Sequence, residues 1–133
     1  MSVQNDSHTD AVQLPTGVAT ANTAGDIYVI NRLGGKAKVT HVDFIPEANI
    51  TANDTNNATF TVSVSGTSLG TIVTSTSGTG DVVAGTNEPI ALSAAASNLI
   101  ADGGLVKVAI TKGGSGVAVK GVCAVTIERV RAD

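Results

Sequence analysis

Large aromatic side chains are nearly absent from this chain of 133 residues. It contains no Trp, one Tyr (Tyr28) and two Phe (Phe44 and Phe60), so small aliphatic residues supply most of its 42% hydrophobic fraction. Small β-branched side chains fill the thin space between two packed sheets. The composition therefore favours a narrow β-sandwich or jelly roll over a large hollow barrel, and the length predicts one domain with one core.

Charge is also scarce, and it is evenly spread. Only 14% of the residues are charged, the formal net charge is −3, and no run of like charges occurs. Because phosphate binding requires clustered Lys and Arg, the sequence argues against nucleic acid as a partner. Solubility must come from Thr, Ser and Asn on outward faces. Such a surface suits either plain solvation or burial in an assembly.

Cys123 is the only cysteine, which excludes an intrachain disulfide and a cysteine-based metal site. It occupies an apolar position of the last predicted strand, where a small buried side chain is expected. The first residues lack the basic start and apolar run of a signal peptide, and no stretch has the length of a transmembrane helix. We therefore expect synthesis in the cytoplasm and no membrane partner.

Alternation of apolar and polar residues predicts β-strands along most of the chain. The clearest case lies between Ala58 and Gly66, where every second residue is apolar and most of the others are Thr or Ser. The same pattern recurs in 105–112 and 117–130. The side chains predicted to be buried are Phe60, Val62, Val64, Val106, Val108, Ile110, Val125 and Ile127. About eight segments with this pattern predict an all-β domain in residues 26–133. We expect it to be an antiparallel β-sandwich or jelly roll.

Two pairs of neighbouring segments are predicted to form hairpins, because only a glycine-rich turn separates their members. The pairs are Asp26–Leu33 with Lys36–Ile45, and Leu105–Lys112 with Val117–Val130. No helix follows the glycines at 113–116, which favours a turn over a phosphate-binding loop. Gly121 is predicted to mark a bulge or a close backbone approach.

The strand at 36–45 is predicted to place Val42 and Phe44 on one face. The other face is predicted to carry Ala37, Val39 and His41.

Residues 1–25 are predicted to form an amino-terminal arm. They are small and polar, and such a segment cannot bury enough surface to fold alone. We expect a neighbouring subunit or a larger assembly to hold it, through main-chain hydrogen bonds and a few apolar anchors. The candidate binding residues are Val12, Leu14, Pro15 and Val18. The alternative is an arm folded back on its own domain, with Ala11 to Leu14 as an added edge strand.

Few residues are able to carry chemistry. The richest loop contains Glu47, Asn49, Asn53, Asp54, Asn56 and Asn57. Oxygen ligands suit hard cations, but the order is not that of an EF-hand and only two of the six are carboxylates, so Asx turns are favoured over a calcium site. His8 and His41 lack a nucleophile or paired carboxylate at an informative spacing, which favours packed or interface roles. We predict no catalytic, cofactor-binding or metal-binding residues.

The order of these parts resembles the small head decoration (cement) proteins of tailed bacteriophages. The features that carry the resemblance are the polar arm, the first predicted hairpin, the Thr- and Asn-rich loop that opens into Asn57 to Val64, and the final predicted hairpin with its run from Val122 to Arg129. The resemblance covers residues 25–131.

This resemblance implies a structural virion protein without enzymatic activity. Its partner would be the major capsid protein, and it would bind the outside of the capsid as a homotrimer and clamp neighbouring subunits. The family offers no catalytic residues to transfer. The competing interpretation is a carbohydrate- or receptor-binding β-module of a phage fibre. The shortage of aromatic residues weakens it, because sugars are usually stacked on Trp or Tyr.

Overall fold

The computed structural model describes residues 25–74, 80–93 and 98–130, together with the backbone of residues 9–15. In these residues the chain forms nine strands: β1 (Thr9–Pro15), β2 (Gly25–Ile30), β3 (Ala37–Pro46), β4 (Asn57–Val64), β5 (Thr67–Thr74), β6 (Glu88–Ile90), β7 (Leu99–Ile100), β8 (Leu105–Gly113) and β9 (Gly121–Arg129). No helix within the described ranges is long and apolar enough to cross a membrane.

The strands form two antiparallel sheets with the core between them. One sheet has the order β1-β9-β3-β6, with β7 also paired to β3, and the other has the order β2-β8-β4-β5. The chain changes sheet after every strand except β4 and β6. This alternation between two sheets is the order of a jelly roll. The predicted all-β antiparallel sandwich is therefore confirmed.

The two hairpins predicted across glycine turns are wrong. β2 pairs with β8 instead of β3, and β9 pairs with β3 and β1 instead of β8. Each glycine turn carries the chain across the core from one sheet to the other. Alternation reveals that a strand has one buried face, but it does not identify the neighbouring strand. The glycine turns therefore have a different topological role from the predicted one.

A true hairpin joins β4 and β5. Val64 is registered opposite Thr67, which leaves a two-residue loop of Ser65 and Gly66. Both residues have positive φ, 51° and 81°. A loop of this length with two left-handed residues matches the right-handed twist of the flanking strands. Glycine removes the steric cost at the second position.

The core contains every side chain predicted to be buried. All eight, from Phe60 in β4 to Ile127 in β9, lie within the buried cluster. The only two phenylalanines of the sequence meet across the sheets, because Phe44 of β3 and Phe60 of β4 have ring centroids 4.6 Å apart. Both are fully buried. Their contact packs β3 of one sheet against β4 of the other.

A register shift in β3 corrects the predicted faces of that strand. The shift lies between Val39 and His41, opposite β9. An extra residue changes the side-chain parity, so Ala37 and Val39 share the buried side with Val42 and Phe44. His41 is exposed. The predicted separation of these residues onto two faces is therefore wrong.

β1 is an edge strand of the first sheet. Its backbone pairs with β9 along its whole length, from Thr9 opposite Glu128 to Pro15 opposite Val122. This is the arrangement of the alternative interpretation, in which part of the arm folds back on its own domain. The rest of the predicted arm lies outside the described residues. Binding of the arm to a partner stays a prediction.

Candidate interaction surface

The outward side of the β2-β8-β4-β5 sheet is rich in hydroxyl groups. Thr59, Thr61 and Ser63 alternate with the buried residues of β4 and therefore face away from the core. Thr61 is registered opposite Thr71 of β5, and their hydroxyl oxygens are 3.3 Å apart. The middle of the sheet therefore has a surface of short, uncharged polar side chains.

Within the described strands of this sheet, the charged residues that face outward form one pair. Lys107 of β8 and Asp26 of β2 form an ion pair with an Nζ to Oδ2 distance of 3.4 Å. Both side chains are exposed, at 40% and 42%, so the pair contributes little to stability. Its effect is to leave the outward strand residues with no net charge.

An apolar corner lies beside this ion pair. Tyr28, Ile30 and Leu105 are 53%, 38% and 47% exposed. Ile30 is registered directly opposite Leu105, and Tyr28 is registered opposite Lys107. Cross-strand neighbours of this kind are in contact on one side of a sheet. The three apolar side chains therefore form a single patch, which we call the β2 corner.

Among the residues that the structure describes, the backbone of β2 is open along one side. β2 ends its sheet order, and no described strand lies beyond it. The Asn31 amide donates to the Gly104 carbonyl at 2.8 Å, and the Asn31 carbonyl accepts from the Gly103 amide at 3.0 Å. Hydrogen-bonding direction alternates along an antiparallel strand, so the N–H and C=O groups of Tyr28 and Ile30 point away from β8.

Asn31 fixes the end of β2, and the sequence analysis did not single it out. It is fully buried, and its Nδ2 donates to the carbonyls of Gly35 at 2.8 Å and Ala101 at 3.0 Å. Its Oδ1 accepts from the Leu33 amide at 3.0 Å. A buried amide with satisfied donors and acceptor is a structural anchor. The available signal was an Asn that directly follows an apolar strand and precedes a glycine pair.

The structure places three of the four predicted arm anchors on β1. The registered pairs are Val12 with Val125, Leu14 with Cys123, and Pro15 with Val122. Val125 and Cys123 are fully buried. Val18 lies outside the described residues. The structure thus brings Val12, Leu14 and Pro15 together along one edge of the body.

The Asn-rich loop holds its own backbone. Asn53 Oδ1 accepts from the amides of Thr55 at 2.9 Å and Asn56 at 2.7 Å, which is an Asx turn as the sequence predicts. Asn56 Oδ1 accepts from the Ser115 amide at 2.9 Å and ties this loop to the glycine turn. Within the described residues no group of three His, Cys, Asp or Glu side chains is placed to hold a metal ion.

The remaining candidates for chemistry are separate from one another. Cys123 is fully buried, and burial raises the pKa of its thiol to about 12, so the thiol is neutral and inert. His41 is exposed and has Nδ1 3.2 Å from the Thr40 hydroxyl. His8 lies outside the described residues. Gly121 makes a close backbone approach, because an added Cβ would lie 2.2 Å from the Ile45 carbonyl oxygen.

Comparison with known proteins identifies no family. No protein-family model matches the chain, and no curated protein matches it. A solved structure of Bacillus endospore appendages, described as a novel family of disulfide-linked pili, is similar in outline. The match covers 99% of this chain and 98% of that chain, with 16% sequence identity and a TM-score of 0.44. A likeness at this level carries no argument about function.

Proposed function

We propose that this chain is a structural virion protein that binds the outside of a phage capsid and stabilises it. The observation that carries the proposal is the outward side of the β2-β8-β4-β5 sheet, which has a row of short hydroxyl side chains in β4 and, within the described strands, balanced charges in one ion pair. The scarcity of charge agrees with protein interfaces, whose centres are depleted of charged residues. The resemblance of the sequence to head decoration proteins names the partner, the major capsid protein.

The proposal assigns the chain a mechanical role without catalysis. Each copy would contribute a modest grip, and many copies on one lattice would reinforce the shell, because release of a capsid subunit requires several contacts to break. We propose a homotrimer as the bound unit, as the resemblance implies. Sedimentation of the purified protein at micromolar concentration tests this state, and a monomer that also binds heads as single copies would contradict it.

The direct experiment adds the purified protein to undecorated heads of the phage that encodes it. We expect saturable co-sedimentation at a fixed copy number per capsid, and decorated heads that survive higher temperature than bare heads. The test variant is Thr61→Lys, on the outward side of β4. It should bind heads more weakly than the wild type and yet have the same melting temperature. Absence of co-sedimentation at micromolar excess would contradict the proposal.

Two deletions separate the arm from the fold. Removal of residues 1–24 takes away β1 and opens the paired edge of β9, whereas removal of residues 1–8 leaves β1 in place. If the arm attaches the protein to the capsid, the longer deletion should lose binding to heads. A chain lacking residues 1–24 that remains folded and binds heads with full affinity would show that the capsid-binding residues lie on the β-sandwich.

One observation favours the alternative of a carbohydrate-binding module. Tyr28 is half exposed on the outward side of the sheet, where an aromatic ring is able to stack on a sugar. A glycan screen with wild-type protein and Tyr28→Ala tests this function. Binding of a glycan that the variant loses would favour the alternative.

A further inference from the structure

We propose that β2 is a site at which two copies of this chain pair edge to edge, so that their β2-β8-β4-β5 sheets become one continuous antiparallel sheet. The inference concerns the contact of the chain with itself and does not depend on a capsid. An exposed sheet edge is a template for another strand unless the sequence blocks it. β2 reads Gly-Asp-Ile-Tyr-Val-Ile and contains no Pro or Lys.

The open backbone groups restrict how a second copy is able to pair. Tyr28 and Ile30 direct their N–H and C=O groups away from β8, so they must form the hydrogen-bonded pairs of the new ladder. Near the middle of β2 the possible two-fold centres are Ile27, Tyr28 and Val29, and each of them pairs outward-directed residues with outward-directed residues. These three registers differ in what they place opposite Asp26.

Charge selects the register centred on Val29. It places Asp26 opposite Arg32 of the second copy, and two-fold symmetry repeats that pair at the other end of the seam. Arg32 is exposed and lies two residues beyond Ile30. A centre on Tyr28 places Asp26 opposite Ile30, and a centre on Ile27 places it opposite Tyr28. Only the first register gives each carboxylate a cation across the seam.

The same register also brings together the β2 corners of the two copies. Tyr28 comes to lie opposite Ile30 of the second copy, an aromatic and β-branched pair of the kind that stabilises sheets. Each Ile30 then has Leu105 on one side and the second copy's Tyr28 on the other. The two corners merge into one patch across the seam, and the exposed area of Tyr28 and Ile30 falls.

The test is a charge exchange read by sedimentation at low salt, where ion pairs are least screened. In Asp26→Arg two cations face each other across the seam, and in Arg32→Asp two carboxylates do. Each variant alone should self-associate about tenfold more weakly than the wild type. An equimolar mixture of the two variants restores opposite charges at both ends, so its association should return to the wild-type level.

Glu47→Arg provides the matched control. Glu47 forms an exposed ion pair with Lys120 at 3.2 Å, comparable to the pair of Asp26 with Lys107, and it lies outside β2. This variant should associate like the wild type. If the chain also forms a trimer through other surfaces, the test still applies, because β2 would join copies of the chain in pairs. The inference is overturned if the wild type shows no association through β2, if the single variants associate normally, or if their mixture associates no better than either alone.

Discussion

The first two strands of the chain, β1 and β2, lie at the edges of different sheets, and they differ in residue composition. β1 ends in Pro15, a residue without an amide donor that sheets accept only at edges, and it is interrupted by polar residues. β2 offers four consecutive apolar residues, and two of them expose both side chain and open backbone. The comparison suggests that an edge strand's composition distinguishes an edge that closes the fold from one that recruits another strand.

The largest expected effect separates the shared core from either edge. Phe60→Ala removes a fully buried ring that packs on Phe44, and it should lower the free energy of unfolding by about 3 to 5 kcal/mol. Tyr28→Ala changes a half-exposed ring and should cost about 1 kcal/mol or less. Urea denaturation at low protein concentration measures both. Equal losses would contradict the assignment of Tyr28 to the surface.

The next prediction tests the direction of the β2 backbone. Val29→Pro removes an amide that faces β8 and leaves a carbonyl of β8 without its donor, which should cost roughly 2 to 3 kcal/mol. Ile30→Pro removes an amide that faces outward, so the intrachain ladder survives and the cost should be about 1 kcal/mol or less. It should also abolish pairing of copies through β2. A larger loss of stability for Ile30→Pro would reverse the proposed directions.

The sequence predicted which residues are buried far better than which strands are neighbours. Phe60, Val62 and Val64 are placed correctly because alternation depends only on one strand and its buried side. The pairing of β2 with β8 joins residues about eighty positions apart, and no local pattern encodes it. Glycine turns between β2 and β3 were compatible with a hairpin or a crossing between sheets.

The candidate surface was only partly visible in the sequence. Tyr28 and Ile30 belong to a strong strand pattern, yet their exposure follows from the position of β2 at the end of its sheet. The side chains of β3 change faces at the register shift between Val39 and His41. No residue type at these positions predicts that shift. Such features depend on the fit of whole sheets.

A smaller effect concerns the interior beside β1. Burial raises the pKa of the Cys123 thiol to about 12, whereas a thiol in the unfolded chain titrates near 8.5. The unfolded state therefore loses its proton first, so the stability contributed by this group is complete below about pH 8 and declines as the pH rises toward 12. Cys123→Ala should lose less stability than the wild type between pH 7.5 and pH 10.5. Urea titrations at the two pH values give this difference, and parallel declines would contradict it.

The most direct test of the contrast between the two edges is amide hydrogen exchange of β2, followed residue by residue by NMR. In dilute protein the amides of Ile27 and Val29 should be protected, and those of Tyr28 and Ile30 should exchange quickly. At concentrations where copies pair, Tyr28 and Ile30 should gain protection. If both amides are already protected in the dilute monomer, another part of the chain covers this edge, and β2 is not open to a second strand.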